Sequence, residues 1–204
     1  LITKLKIMPL LAGILTMSGL YSVNLMIMNE TPNLSLFGYK TVFSQLETIT
    51  PYAKIIIIYA LVIALVVLLD LFLRTQLGLS LRACGDNEAM VKASSIDSDK
   101  MKVLGLALAN GLVSLSGAIF AQHQSFADIT NGTGMMVIGL ASIIVGMTFI
   151  KKEKILMQLI AVVFGAIFYR CILSIALQFG LPSGYLKLLS AVLVVIALAM
   201  TNGS

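Results

Sequence analysis

The 204-residue chain is 59% hydrophobic and only 11% charged, with a mean hydropathy of +1.02; a soluble domain carries roughly 25% charged residues, so a water-solvated globular fold is excluded. Its net charge of +5 comes from basic residues scattered between apolar runs, which speaks for membrane topology and against nucleic acid. Cys84 and Cys171 stand far apart, without a CxxC or Cys/His spacing, so neither a disulfide framework nor a zinc site is expected.

A membrane span needs about 20 mostly apolar residues, and six stretches qualify: 7–28, 54–73, 102–121, 135–150, 155–177 and 186–201. The first, interrupted by Pro9 and Gly13, follows a start at Leu1 without a signal-peptide pattern. It reads as part of a longer polypeptide rather than as a cleavable signal. In the next loop, residues 29–53, Leu36, Tyr39, Phe43 and Leu46 recur at helical spacing. That spacing predicts a helix lying flat in the interface, or else a docking surface for an external partner. The second span, from Ile55-Ile56-Ile57-Ile58 to Leu73, is the clearest, and Asp70 and Arg74 at its end are placed for an i,i+4 ion pair.

After it comes the one long polar segment, Arg74 to Lys102, which holds Arg82, Asp86, Glu88, Lys92, Asp97, Asp99 and Lys100. A membrane protein that concentrates polar, helix-capable sequence in one loop is expected to touch a soluble partner there. In the third span Asn110, Ser114, Gly117 and Ala121 share one small, polar face, and in the fourth Gly139, Ser142 and Gly146 do the same. Such faces serve either close helix packing or the wall of a substrate path. The fourth span is short and follows Asn131-Gly132-Thr133-Gly134; it is either re-entrant or an ordinary tilted helix that starts a few residues earlier.

Arg170 lies within the fifth span, where a charge costs about 2.5–3.5 kcal/mol even on the insertion scale. Its position, roughly 10 Å from the span's end, leaves snorkelling open. The four-residue spacing of Ala166, Arg170, Ser174 and Gln178 favours a protein-facing stripe. Two readings follow for Arg170, a structural ion pair with Asp128 as partner or a substrate-path residue.

Alternation with the 74–102 loop inside puts Lys4, Lys6, Arg74, Arg82, Lys92, Lys100, Lys102, Lys151, Lys152 and Lys154 in the cytoplasm. Only Lys40, Lys54 and Lys187 then lie outside. This asymmetry fixes the orientation. Enzyme motifs are scarce. His123 is the single histidine, and Ser114, Ser116 and His123 have no nucleophile elbow around them. There is no GxxxxGK[ST] loop to cradle a nucleotide.

Thr75-x-x-Gly78-x-x-Leu81-Arg82-Ala83-x-Gly85-x-Asn87-Glu88-Ala89, followed by Ser95-Ile96-Asp97 and Lys100, resembles the cytoplasmic loop of bacterial ABC importer permeases of the branched-chain amino acid/ribose type. The likeness continues through Leu112-Val113-Ser114-Leu115-Ser116-Gly117-Ala118, Gly132-Thr133-Gly134 and the Gly139–Gly146 stretch, covering roughly 54–200. It implies a coupling helix centred on Arg82 to Ala93 that seats in a separate ATPase subunit, which would hold the ATP and Mg; no cofactor is expected in this chain. It also implies an extracytoplasmic substrate-binding protein, a second permease copy or paralogue, and a bacterial inner-membrane location. Three departures stand out: Ser95 replaces the family's usual glycine, Gly146 to Lys154 replaces a glycine-rich turn, and further N-terminal spans are absent. The first two point away from sugars and branched-chain amino acids, toward the branch linked to tryptophan or tyrosine uptake.

The expectation is therefore an all-α polytopic membrane protein, one permease domain over 1–204 with about six spans and the coupling loop at 74–102. Its coupling residues are Arg82, Gly85, Asn87, Glu88 and Lys92, and its substrate-path candidates are Asn110, Ser114, Ser142, Arg170 and Ser174. An ion-gradient transporter is the rival reading; it needs buried acids in the spans, and only Asp70 qualifies. A membrane enzyme is a second rival.

Overall fold

A computed structural model describes residues 7–39, 41–43, 53–149 and 154–179, together with the isolated positions Val192 and Val195. The chain divides into two units, Leu1–Ile129 and Thr130–Ser204. The fold is that of an all-α polytopic membrane protein. Three described helices are long and apolar enough to cross a membrane. The expected span at 186–201 lies outside the described residues, apart from those two valines.

The first unit begins with α1 (Pro9–Ile27), where Pro9 takes the first helical position and loses no hydrogen bond there. The helix unwinds through Asn29 and Glu30, both left-handed. A three-residue strand follows, β1 (Asn33–Ser35), and then a turn over 37–39; of the surface helix expected across Leu36, Tyr39, Phe43 and Leu46, the described residues show helix only at Val42 and Phe43. The physical reason for the strand is a distant partner. β1 pairs antiparallel with β2 (Phe126–Asp128), with Asn33 opposite Asp128 and Ser35 opposite Phe126. Further bonds, Leu36 N–H to Ser125 O and Ile129 N–H to Pro32 O, extend the ladder at both ends. Residues 44–52, including Leu46, lie outside the described set.

Phe43, almost fully buried, meets the His123 ring edge-on at 6.2 Å, and the Val42 N–H donates to Gln122 Oε1. The only histidine is thus engaged in packing a loop. The ladder also supports the topology, because 33–35 and 126–128 can pair only on one side of the membrane.

α2 (Ala53–Arg74) and α5 (Ser98–Gln124) are the long helices of this unit. Large apolar side chains cover their surfaces, including Ile56, Ile63, Leu68 and Val113, all exposed, as lipid contact requires. α5 has 27 residues, about 40 Å at 1.5 Å per residue, against a hydrocarbon core of about 30 Å. It therefore extends beyond the predicted 102–121 at both ends, and its first turn belongs to the polar loop.

The second unit is a helical hairpin of α6 (Asn131–Phe149) and α7 (Ile155–Gln178). α6 starts at Asn131, so the Asn-Gly-Thr-Gly segment forms its first turn and the helix is continuous over 19 residues. Ala141, Ser142, Val145 and Gly146 on α6 are buried, as are Ala161, Gly165, Tyr169 and Leu173 on α7. The backbones meet at two glycines. A Cβ on Gly165 would strike Ser142 O and lie 2.7 Å from Gly146 N, and one on Gly146 would strike Ala161 O. Small residues permit this approach.

Candidate functional site

The polar loop folds as two short helices, α3 (Gln76–Asp86) and α4 (Glu88–Ala93), rather than as one coupling helix over Arg82 to Ala93. Three side-chain caps define it. Thr75 Oγ1 accepts from Gly78 N–H at 3.3 Å while donating to Phe72 O. Gly78 packs so closely on the end of α2 that a Cβ would overlap Phe72 O and the Leu73 backbone. Thr75 and Gly78 together therefore turn the chain out of the span. Asn87 breaks the helix with an extended backbone, and its Oδ1 accepts from Met90 N–H at 3.1 Å. A side chain that caps the next helix competes with continuation of the previous one. Asp97 caps α5, accepting from the N–H groups of Asp99 and Lys100.

Glu88 is the hub of the loop. Its Oε1 lies 2.8 Å from Lys92 Nζ, 2.7 Å from Lys102 Nζ and 3.2 Å from Ser98 Oγ, which donates to it. Lys102 and Ser98 belong to α5, so one carboxylate fastens α4 to the extended end of a membrane-crossing helix. The hydrogen bond from Lys102, then that from Lys92, hold the Glu88 carboxyl at about 2, well below its ordinary range. The same pairing raises the Lys92 ammonium. Asp97 is likewise lowered, chiefly by the Lys100 backbone N–H. Val91, 2% exposed, keys α4 into this junction, and buried Cys84 reaches the Ser98 carbonyl at 3.8 Å.

What remains on the outside of the loop is a surface of Arg82, Gly85, Asp86, Asn87 and Met90, the last an apolar side chain 65% exposed. A Cβ on Gly85 would meet nothing within 4 Å, so its backbone is open to close approach from outside. Of the expected coupling residues, Arg82, Gly85 and Asn87 are exposed on this surface, although the Asn87 side chain is also committed to the α4 cap. Glu88 shapes the loop internally, and Lys92 is its partner. The sequence reading missed Lys102, Ser98 and Met90. The Asp97 cap was legible, since an Asp before a helical run is a start signal.

The substrate-path candidates divide between the units. In the first, Asn110 and Ser114 are exposed on α5, and Asn110 Nδ2 donates to its own helix at Leu106 O, 2.8 Å. In the second, Ser142 is buried in the α6–α7 contact and its hydroxyl donates to Ile138 O. Arg170 and Ser174 come together with Ala166, Ile167 and Cys171 along an open groove of about 380 Å³ on α7. Asp128, the suggested partner of Arg170, sits in β2 of the first unit. Asp70 and Arg74 form the expected pair at 2.8 Å.

Comparison with known proteins supplies the context for these features. The family described as "Branched-chain amino acid transport system / permease component" matches residues 1–198. A tyrosine transport system permease protein of Clostridioides difficile (strain R20291) is 41% identical over 98% of this chain and 65% of its own length. An uncharacterized protein of Rickettsia prowazekii (strain Madrid E) is 36% identical over 95% of this chain and 69% of its own. The ribose import permease protein RbsC of Escherichia coli (strain K12) is 25% identical over 99% and 63%. The chain thus spans about two thirds of the length of these relatives. No solved structure matches it.

Proposed function

The chain belongs to the family of branched-chain amino acid transport system permease components, and from that premise we propose that it is the transmembrane subunit of an ATP-binding-cassette importer. In this reading it moves a small solute inward by alternating access in a bacterial inner membrane. A separate ATPase subunit, carrying ATP and Mg, seats on the loop of α3 and α4. An extracytoplasmic binding protein delivers solute to the opposite face, and a second copy or a paralogue completes the permease. The solute is an amino acid, with tyrosine the first candidate because a relative bearing that name shares 41% identity.

One observation carries the proposal: the Glu88 latch. A force applied to exposed Arg82, Gly85 and Met90 has a rigid route into the membrane, through the Glu88 contacts with Lys102 and Ser98 into the 27-residue α5. Ion pairs on a flexible surface contribute little. Here two lysines and a hydroxyl converge on one oxygen and join two helices. The ion-gradient reading is weaker, because Asp70, the acid it would need, is paired with Arg74 at the loop end of α2.

The test is co-purification of the ATPase with the full-length permease. Arg82→Glu and Met90→Asp should each reduce capture at least tenfold with membrane insertion unchanged. Glu88→Gln should leave capture largely intact while lowering ATP-driven uptake, since it loosens transmission rather than docking. Full capture by both surface variants would refute the assignment of this loop.

A further inference from the structure

Arg170 poses a question that helix packing does not answer. It lies 15 residues into α7 and eight before the helix ends at Gln178, about 12 Å from that end. The hairpin buries the neighbouring face, with Tyr169 fully buried and Leu173 nearly so, while Arg170 and Ser174 are exposed. Packing against α6 therefore does not involve the guanidinium. Among the described residues its unit holds no acidic side chain to pair with it. From Thr130 onward the sequence has a single acidic residue, Glu153, which is 17 positions before Arg170 and lies outside the described residues. A guanidinium turned to hydrocarbon at that depth is costly on every scale, so the side chain either snorkels toward the helix end or faces a polar partner.

The groove beside it has the makings of a small-molecule subsite. It is open, about 380 Å³ in volume, and lined by α7 alone, so α7 supplies one wall of such a site. The lining of Ala166, Ile167, Arg170, Cys171 and Ser174 combines an apolar wall with one cation and one hydroxyl. A planar guanidinium with forked donors matches a carboxylate in two parallel hydrogen bonds. A sugar would leave that fixed charge uncompensated.

We infer that Arg170 is the point on α7 that holds the carboxylate of the transported solute, with the Ser174 hydroxyl beside it and the Ala166–Ile167 wall against the solute's apolar part. This rests on the importer reading and narrows it to carboxylate-bearing solutes, α-amino acids among them. The counter-charge that the described residues of the second unit lack is then supplied by the passing ligand. Because that ligand must leave, a single cation at an open groove suits it better than an enclosed site would.

Cys171 lines the same groove and is exposed, so it reports on the site directly. In the full-length permease, with cysteines outside this chain replaced by serine, Cys171 is labelled by a water-soluble anionic methanethiosulfonate; Cys171→Ser identifies the signal. Millimolar L-tyrosine or L-leucine should slow labelling at least threefold, whereas tyramine, which lacks the carboxylate, should not. Arg170→Gln should abolish that protection and Arg170→Lys should retain part of it. Absence of labelling, equal protection by tyramine, or protection that survives in Arg170→Gln would each overturn the inference. ATP-dependent uptake by the unmodified complex is measured alongside: if it persists while protection fails, only the Arg170 assignment falls, and if it is absent, the importer reading falls.

Discussion

The glycine contact of the second unit makes a quantitative prediction. In Gly165→Ala the new Cβ would sit 2.7 Å from Gly146 N and 2.8 Å from Gly146 Cα, where ordinary contact begins at about 3.4 Å. All of these neighbours are backbone, as is Ser142 O, which the Cβ would strike, so no rotamer change relieves the overlap, and α6 and α7 must part by at least roughly 0.7 Å. A gap of that order forfeits about a quarter to a half of the dispersion attraction of the atoms lining it, and overpacking of this kind costs about 1–3 kcal/mol. The alanine recovers up to about 1 kcal/mol in helix propensity, which leaves a net loss of about 0–2 kcal/mol. Gly139→Ala, on the same hairpin with nothing within 4 Å of its Cβ, keeps the propensity gain without the overlap. The two variants should therefore differ by about 2 kcal/mol in denaturant unfolding of the detergent-solubilised permease followed by circular dichroism. Equal behaviour of Gly165→Ala and Gly139→Ala would refute the direct backbone contact.

Ser95 has a left-handed backbone, φ 61°, a conformation that glycine adopts without steric cost. An L-residue there costs about 1–2 kcal/mol, and glycine returns part of that through unfolded-chain entropy. Ser95→Gly is therefore expected to stabilise the permease by about 0.5–1 kcal/mol in thermal unfolding, and a loss of stability would argue against this conformation. The Glu88 latch should be indifferent to pH through the physiological range. Its carboxyl falls from 4.5 to about 2 on folding, so its contribution is complete above about 4.5 and is lost as pH falls through 2. Lys92 shifts upward from 10.5, so its contribution is complete below that value and is lost only at higher pH. A ¹³C titration of the Glu88 carboxyl should place its midpoint well below 4; a midpoint near 4.5 would mean that the latch does not form.

The spans were legible in the sequence because lipid exposure demands unbroken apolar runs, and α2 and α7 begin and end within a residue or so of the predicted limits. The strand at Asn33–Ser35 was not, since its partner, Phe126–Asp128, lies about ninety positions away, and three residues carry no period of their own. In the loop, the polar composition located the segment that folds as α3 and α4. The break at Asn87 and the Glu88–Lys102 latch depend on α5 continuing out of the apolar zone, which a hydropathy count ends too early. The polar stripes within the spans looked alike in sequence and separate in structure by what their atoms do. Asn110 and Ser142 each return a hydrogen bond to a carbonyl four residues back in their own helix. Amides and hydroxyls can be satisfied in that way, so such residues need no ligand to explain them. A guanidinium is a multiple donor with no acceptor, and carbonyls of its own helix do not neutralise it, so a counter-charge for Arg170 has to come from beyond α7. Of the five candidates for the path, it is therefore the residue whose chemistry most directly demands a partner.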